Sequence, residues 1–377
     1  MLKPDGYAAY MTPFVWMFIK TYEALRTYIV DNKQISSLIQ MEYSAFEEAT
    51  VPINTFVIQN SPNHELGSYV KLSEFTGGMV VQDQKVLEII ENPDAGYLYR
   101  TNQANFKKIP GSPIAYWASL KLLKAFNDNR LLKNVGDSRN GLQPKETSRF
   151  VRQWYEVEFL NINFKIESIT QTNDSTEKWY PYNKGGAKRK WYGNYDYVVN
   201  WKFNGSEIRS IKRNGKPYAV IPSQKYYFKP SLTWPKITSG TFSARYRVKG
   251  SIPADAGNST YFKNLFDLRY VLGVVNTKVG DYILKMLNPT LNLQTREFAS
   301  LPIMEHANKN AVDETVNENI KITKIDWDSF ETSWDFTQHP LLSKIDEHNQ
   351  KSPPIIDTIS DVCQKSAKFR RRINKYG

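Results

Sequence analysis

Between Lys184 and Lys216 the chain places Lys184, Lys188, Arg189, Lys190, Lys202, Arg209, Lys212, Arg213 and Lys216, with only Asp196 and Glu207 as acids. Trp179, Tyr180, Tyr182, Trp191, Tyr192, Tyr195 and Tyr197 are interleaved with them. Cations that neutralise phosphates, beside rings that pack or stack, suit a nucleic-acid partner. The balance of the whole chain agrees, with 50 Lys and Arg against 38 Asp and Glu, a net +12 and a pI near 9.3. A solvated basic face with the aromatics in the core behind it explains the same composition. Other chemistry finds little support. The one cysteine, Cys363, cannot form an internal disulfide, and His64, His306, His339 and His348 have no zinc-site spacing, so thiol and metal chemistry are not expected. Glu42, Glu47 and Glu48 lie in one connection, where carboxylates are ordinarily solvated rather than catalytic.

The elements that must position these residues are read from periodicity. Residues 8–13 suggest a short buried strand ended by Pro13, and Trp16, Ile19, Tyr22, Leu25 and Ile29 follow at helical steps. Apolar runs at 35–41 and 54–59 suggest two paired strands behind that helix. Together, 1–60 reads as the closing part of a nucleotide-cofactor type α/β sheet, whose ligand-binding strands are expected upstream. Next come a breaker-rich turn at 61–67, a strand at 69–73 and a helix at 80–90. A second domain is expected from Phe106, with a helix bearing Trp117, Leu120, Leu123 and Phe126. Residues 140–262 read as mainly β, with strands at 155–161, 197–203 and 225–229, and Trp154, Trp191, Trp201 and Trp234 are expected in its core. A helix over 265–287 should cap this domain, closed by Asn288-Pro289. Beyond Pro302 the chain is polar, ending in a basic, loosely ordered tail around 368–372. Gly185-Gly186 reads as a flexible turn, not a phosphate cradle. No run approaches the roughly 20 apolar residues of a membrane span, and the start is no signal peptide, so a cytoplasmic protein is expected.

Several longer segments carry a resemblance. They are LKPDGYAAYMTP (2–13), IQMEYSAFEEATVPINTFVIQ (39–59), IPGSPIAYW (109–117), SRFVRQWYEVEF (148–159), RKWYGNYDYVVNW (189–201), SLTWPKITSGTFSARY (231–246) and LGVVNTKVGDYILKMLNPTLNLQ (272–294). The first two resemble the last blocks of a class I DNA adenine-N6 methyltransferase. The set resembles the PglX-like methyltransferases of BREX phage-defence systems. The family's Gly-rich turn for S-adenosylmethionine and its Asn-Pro-Pro-Tyr loop have no counterpart here, and Ser352-Pro353-Pro354-Ile355 is no substitute.

The resemblance implies a fold: an α/β remnant (1–60), a connector (61–105), a mainly β, α+β target-recognition domain (106–303) and a polar C-terminal segment (304–377). It implies duplex DNA as partner, with the N-terminal methyltransferase half or other defence proteins as further partners and no membrane. S-adenosylmethionine would serve the complete enzyme, with no cofactor or metal held by this chain. At the family's stacking position stands Phe46, whose ring would face an extruded adenine. Groove-edge or phosphate contacts are expected from Arg149, Arg152, Gln153, Lys184, Lys188, Arg189, Lys190, Asn194, Lys236, Thr238, Ser239 and Arg245. The chain alone is then a recognition module without catalysis. The competing reading is one half of a split methyltransferase; a third, behind these two, is the specificity subunit of a restriction-modification complex, which 272–293 also resembles. That last kind of subunit normally has two recognition domains and long spacer helices.

Overall fold

The computed structural model describes residues 2–43, 51–62, 65–238, 240–304 and 308–342. They divide into two units, one of residues up to Arg130 together with 286–289, the other of the remainder. The first contains β1 (Tyr7–Pro13), α1 (Glu23–Asn32), β2 (Gln34–Gln40), β3 (Ile53–Gln59), β4 (Leu66–Lys71), α2 (Gly78–Glu91), β5 (Leu98–Asn102) and α3 (Leu120–Asp128). Its sheet runs β1-β3-β2-β4-β5. β3 is antiparallel to both neighbours, β2 and β4 are parallel, and β4 and β5 antiparallel. Along β3, Asn54, Phe56 and Ile58 are buried while the residues between them are half-buried, the period-two pattern of a strand with one face on a core. Phe56 and Ile58 pack there with Trp16, Val30, Leu38 and Tyr69.

Three expectations for this unit need correction. β1 is not buried: it is the outermost strand, and Tyr7, Tyr10 and Met11 are exposed. The pattern from Trp16 to Ile29 is not one helix but two 3-10 turns, Phe14–Met17 and Lys20–Tyr22, followed by α1. Arg26 makes the break tolerable. Its buried guanidinium donates to the carbonyls of Trp16 (2.8 Å), Ile19 (2.7 Å) and Gly111 (2.7 Å), so groups that a continuous helix would satisfy are still bonded. Glu42, read as solvated, is buried; its carboxylate accepts from the Gly78 N–H at the start of α2, and its own N–H donates to Gln82 Oε1. A β-bulge lies between Ile35 and Ser37, and there Gln103 accepts from the Ile35 N–H (2.9 Å) while donating to the Val30 carbonyl (2.9 Å).

The chain continues through β6 (Arg130–Leu131), β7 (Gly136–Arg139), α4 (Thr147–Phe150), β8 (Val151–Gln153), β9 (Trp179–Asn183), β10 (Tyr197–Asn200) and α5 (Lys202–Ser210). A small hairpin, β11 (Lys212–Arg213) and β12 (Lys216–Pro217), precedes β13 (Ser231–Pro235), β14 (Arg245–Arg247), β15 (Ile252–Pro253) and β16 (Gly257–Phe262). The last elements are α6 (Leu265–Val275), α7 (Lys278–Leu287), α8 (Thr295–Ala299), β17 (Pro302–Ile303) and α9 (Lys309–Asp328). Two four-stranded sheets, β15-β9-β10-β8 and β14-β13-β16-β7, form the frame of the second unit. Phe150, Tyr180, Tyr182, Trp201 and Phe228 fill a core beside the first, and Trp234 stacks on Phe298 at 3.9 Å. Trp191, Trp201 and Trp234 are buried as expected, whereas Trp154 stays partly exposed and donates to the Thr332 carbonyl.

Here too local chemistry overrides pattern. The strands expected at 155–161 and 225–229 are 3-10 turns: Gln153 and Glu156 form a capping box at the first, and Ser223 enters the second at a φ of +56°. β10 stops at Asn200 because Phe203, Asn204 and Gly205 are all left-handed, with φ of 50°, 54° and 69°. The helix expected over 265–287 is two, divided at Asn276-Thr277. The Asn276 amide exchanges hydrogen bonds with the Ala244 backbone (2.9 and 3.0 Å), and Thr277 Oγ1 accepts from the Gly280 N–H to begin α7. The polar stretch after Pro302 is ordered as α9 as far as Asp328 and packs on α6, burying Val316, Asn319, Ile322, Thr323 and Trp327. The basic tail at 368–372 lies outside the described residues. The described chain is mixed α/β with several sheets, and none of its helices is long and apolar enough to cross a membrane.

Candidate nucleic-acid interface

β9 and β10 are joined by residues 184–196, which hold Lys184, Lys188, Arg189 and Lys190. This loop is braced at its glycines. Asn194, buried and at a φ of +62°, donates its amide to the carbonyls of Gly185 (2.9 Å) and Ala187 (2.8 Å). Arg245 donates Nη2 to the same Gly185 carbonyl at 2.7 Å. A Cβ on Gly186 would lie 2.7 Å from the Asn194 amide nitrogen, so the turn and its brace fit only with glycine there. Trp191, at a φ of +71°, is held by its N–H on the Ala244 carbonyl (2.9 Å) and its carbonyl on the Tyr246 N–H (2.7 Å).

The brace presents Lys188, Arg189 and Lys190 along a cleft of about 550 Å³, whose other walls carry Phe242, Asn276, Lys278, Asp281 and Asp326. Lys188 is exposed and has no ion pair among the described residues. Arg189 pairs with Asp326 at 3.2 Å and lies 5.0 Å over the Trp327 ring. Lys190 donates to the Asn276 carbonyl at 2.7 Å, and burial, with Lys188 beside it, lowers its pKa against the pull of Asp281. Asp281 accepts from the Phe242 N–H (2.6 Å) and pairs with Lys285 (2.9 Å). Behind the loop, burial raises the Asp196 carboxyl against the attraction of Arg189 and Arg245, and lowers Arg245 to about 10, which leaves its charge intact at neutral pH. With its acids engaged internally, such a wall attracts polyanions. Lys278 was absent from the sequence-derived set; its signal was the Asn276-Thr277 break, which starts α7 at this wall.

The remaining expected contacts are scattered. Arg149 pairs with Glu146 (3.2 Å) and Glu207 (3.7 Å), and Arg152 donates to the carbonyls of Ser148 and Val151. Gln153 caps the turn at Trp154. Lys184 lies 4.2 Å over the Tyr197 ring, and Lys236 pairs with Asp255 at 3.1 Å. Thr238 donates its N–H to the Leu291 carbonyl at 3.0 Å. Arg245 is fully buried and Asn194 nearly so, and both brace the loop in this conformation. Phe46 and Ser239 lie outside the described residues. Lys212, Arg213 and Lys216 stand exposed on the β11–β12 hairpin without an ion pair among the described residues.

In the first unit β4 leads through Gly77-Gly78, at φ of +132° and +69°, into α2, a glycine turn before a helix such as cofactor sites use. Glu42 accepts from the Gly78 N–H, so that donor is already engaged within the chain. Among the described residues no cluster of three or more His, Cys, Asp or Glu could hold a metal.

No protein-family model matches the chain. The adenine-specific methyltransferase PglX of Lacticaseibacillus casei (strain Zhang) is 36% identical over 357 residues, covering 93% of this chain and 29% of that protein. The adenine-specific methyltransferase BrxX of Escherichia coli O9:H4 (strain HS) is 31% identical over 357 residues, covering 91% of this chain and 27% of its own. Among solved structures, the chain is similar to the type IIL restriction-modification enzyme MmeI in complex with DNA, with a TM-score of 0.49 and 12% identity over 97% of this chain and 50% of that one. The chain spans less than a third of either curated relative, and it is similar to these PglX-like adenine-specific methyltransferases along nearly all of its own length.

Proposed function

We propose that this chain is the DNA-recognition portion of a site-specific adenine-N6 DNA methyltransferase of a BREX-like phage-defence system. In this reading residues 1–60 belong to the end of the methyltransferase sheet, and the second unit is the target-recognition domain. The observation that carries it is the braced loop of residues 184–196, which holds Lys188, Arg189 and Lys190 on one wall with Lys278 across the cleft. A rigid backbone that presents cations loses little entropy on meeting phosphates, and fixed spacing gives register along a duplex. Arg245 and Asn194 act from behind, holding the loop rather than touching bases. Lys188 and the hairpin cations are the phosphate contacts, with Arg189 released from Asp326 on binding.

Methyl transfer itself is assigned to the complete enzyme, where S-adenosylmethionine supplies the methyl group and Phe46 stacks on the extruded adenine. The test is fluorescence anisotropy with a labelled duplex and the purified chain. Binding that weakens steeply with salt, and weakens further in the triple variant Lys188→Ala, Arg189→Ala, Lys190→Ala, supports the reading. Wild-type affinity and salt slope in that variant would move the DNA surface elsewhere.

A further inference from the structure

A second group of cations lies on the second unit, apart from the residues that line the cleft. It is built on β7 and on the turn that precedes β13. Asp137 and Arg139, two apart on β7, share a sheet face with Tyr261, which stands opposite Asp137 on β16. Tyr226 covers that face, its ring stacked on the Tyr261 ring at 4.4 Å. Around Tyr226 stand Lys225, 5.1 Å from its ring centre, Arg139 at 5.8 Å and Lys229 at 5.9 Å. Three cations about one ring overlap within the screening length of ordinary buffers, about 10 Å, so each strengthens the field around the others. The carboxylate in contact with this group, Asp137, is engaged. It accepts from the Tyr226 hydroxyl and pairs with Arg139 at 3.0 Å, and these contacts hold its pKa below the ordinary carboxylate value. Lys225 and Lys229 are exposed and have no ion pair among the described residues. The ring attracts each cation but neutralises none. The backbone that carries them is fixed. The Tyr226 N–H donates to the Ser223 carbonyl at 2.9 Å, and Phe228, fully buried at a φ of +66°, bonds the backbones of Ser251 (3.0 Å) and Gly250 (2.9 Å). The Lys229 carbonyl accepts from the buried Arg247 at 2.8 Å.

We propose that Arg139, Lys225 and Lys229 form a second phosphate-binding surface, which takes the sugar-phosphate backbone of duplex DNA at a place other than the cleft. An open arc of exposed cations does not enclose one small anion; it suits a row of phosphates, from which each cation releases condensed counterions. The fixed backbone loses little entropy on meeting that row. This inference rests on the DNA reading and extends it to a second contact. Lysine acetylation of the whole chain, read residue by residue by mass spectrometry with and without a mixed-sequence duplex, tests it. The duplex should lower acetylation of Lys225 and Lys229 at least fivefold. It should leave Lys165 unchanged, an exposed lysine in a stretch that also carries Glu167, Asp174 and Glu177. As a second measurement, Lys225→Ala with Lys229→Ala should reduce the slope of log K against log salt by about 1.8, at about 0.9 for each lost phosphate contact. Both side chains are exposed, so this variant keeps its melting temperature. Protection of Lys188 without protection of Lys225 and Lys229, or a wild-type salt slope in the double variant, would overturn the proposal and leave the DNA reading standing. Protection of none of the three lysines would overturn both. Equal protection by millimolar inorganic phosphate would also overturn it, because the surface would then be a small-anion site.

Discussion

Lys188→Ala is the sharpest perturbation of the basic wall because Lys188 alone among the three loop cations has no internal partner in the described structure. If it meets one phosphate, its loss should reduce the slope of log K against log salt by about 0.9. Between about 0.1 and 0.15 M salt that change corresponds to about fivefold to eightfold weaker binding, from the same counterion argument. A matched control replaces Lys236 and Asp255 together with alanine. These two neutralise each other at 3.1 Å, and the double change leaves net charge as it was, so the slope should not move. Both proteins are titrated onto one duplex by anisotropy at four or more salt concentrations. Equal slopes for Lys188→Ala and wild type would refute the reasoning, as would a control whose slope falls by as much as the single variant.

Three further outcomes follow. Calorimetric titration of the isolated chain with S-adenosylmethionine should show no saturable heat, because Glu42 occupies the N–H that opens α2; micromolar binding would contradict this. Asp196→Asn should raise the melting temperature at pH 7, since burial holds the folded carboxyl above its ordinary value and its ionised form opposes folding. The sign follows from linkage: the folded chain holds the proton more tightly, so wild-type stability falls as pH rises from the ordinary carboxylate range through the raised value, and the gap to the variant should close below that range. Phe46→Ala in a reconstituted methyltransferase should slow radiolabelled methyl transfer while leaving duplex affinity within about twofold, because stacking on an extruded base, worth about 1–3 kcal/mol, acts only after the duplex is bound; equal rates would remove Phe46 from that role.

How much of the fold could be read from sequence depended on what decided each element. β2, β3 and α2 were legible because apolar spacing and nearby breakers set them, and these are local. The break in the first helix was not, since it depends on Arg26 reaching Gly111, 85 positions away. The division of 265–287 depends in the same way on Asn276 meeting Ala244. α9 was hidden by composition: its inner face includes Asn319 and Thr323, and the Thr323 hydroxyl is satisfied by the Asn319 carbonyl at 2.7 Å, so a polar sequence still packs.

The candidate site shows a different limit. Arg245 and Asn194 were marked as base readers by residue type, and the groups that made them candidates are the ones they use on Gly185 and Ala187. A guanidinium or an amide seeks an acceptor, and a backbone carbonyl in a tight loop serves as well as a base edge. Residue type therefore locates hydrogen-bonding capacity without saying which side of the surface it faces. Strand register carries the missing information. Arg245 lies opposite Thr233 and Arg247 opposite Ser231 on β13, small side chains that leave room for a guanidinium to turn inward. Arg247 then bonds Ser231, Ser251, Tyr261 and the Lys229 carbonyl within the sheet, whereas Arg245 reaches the loop. Once register is known, the two arginines become internal supports, Arg245 of the loop and Arg247 of the sheet.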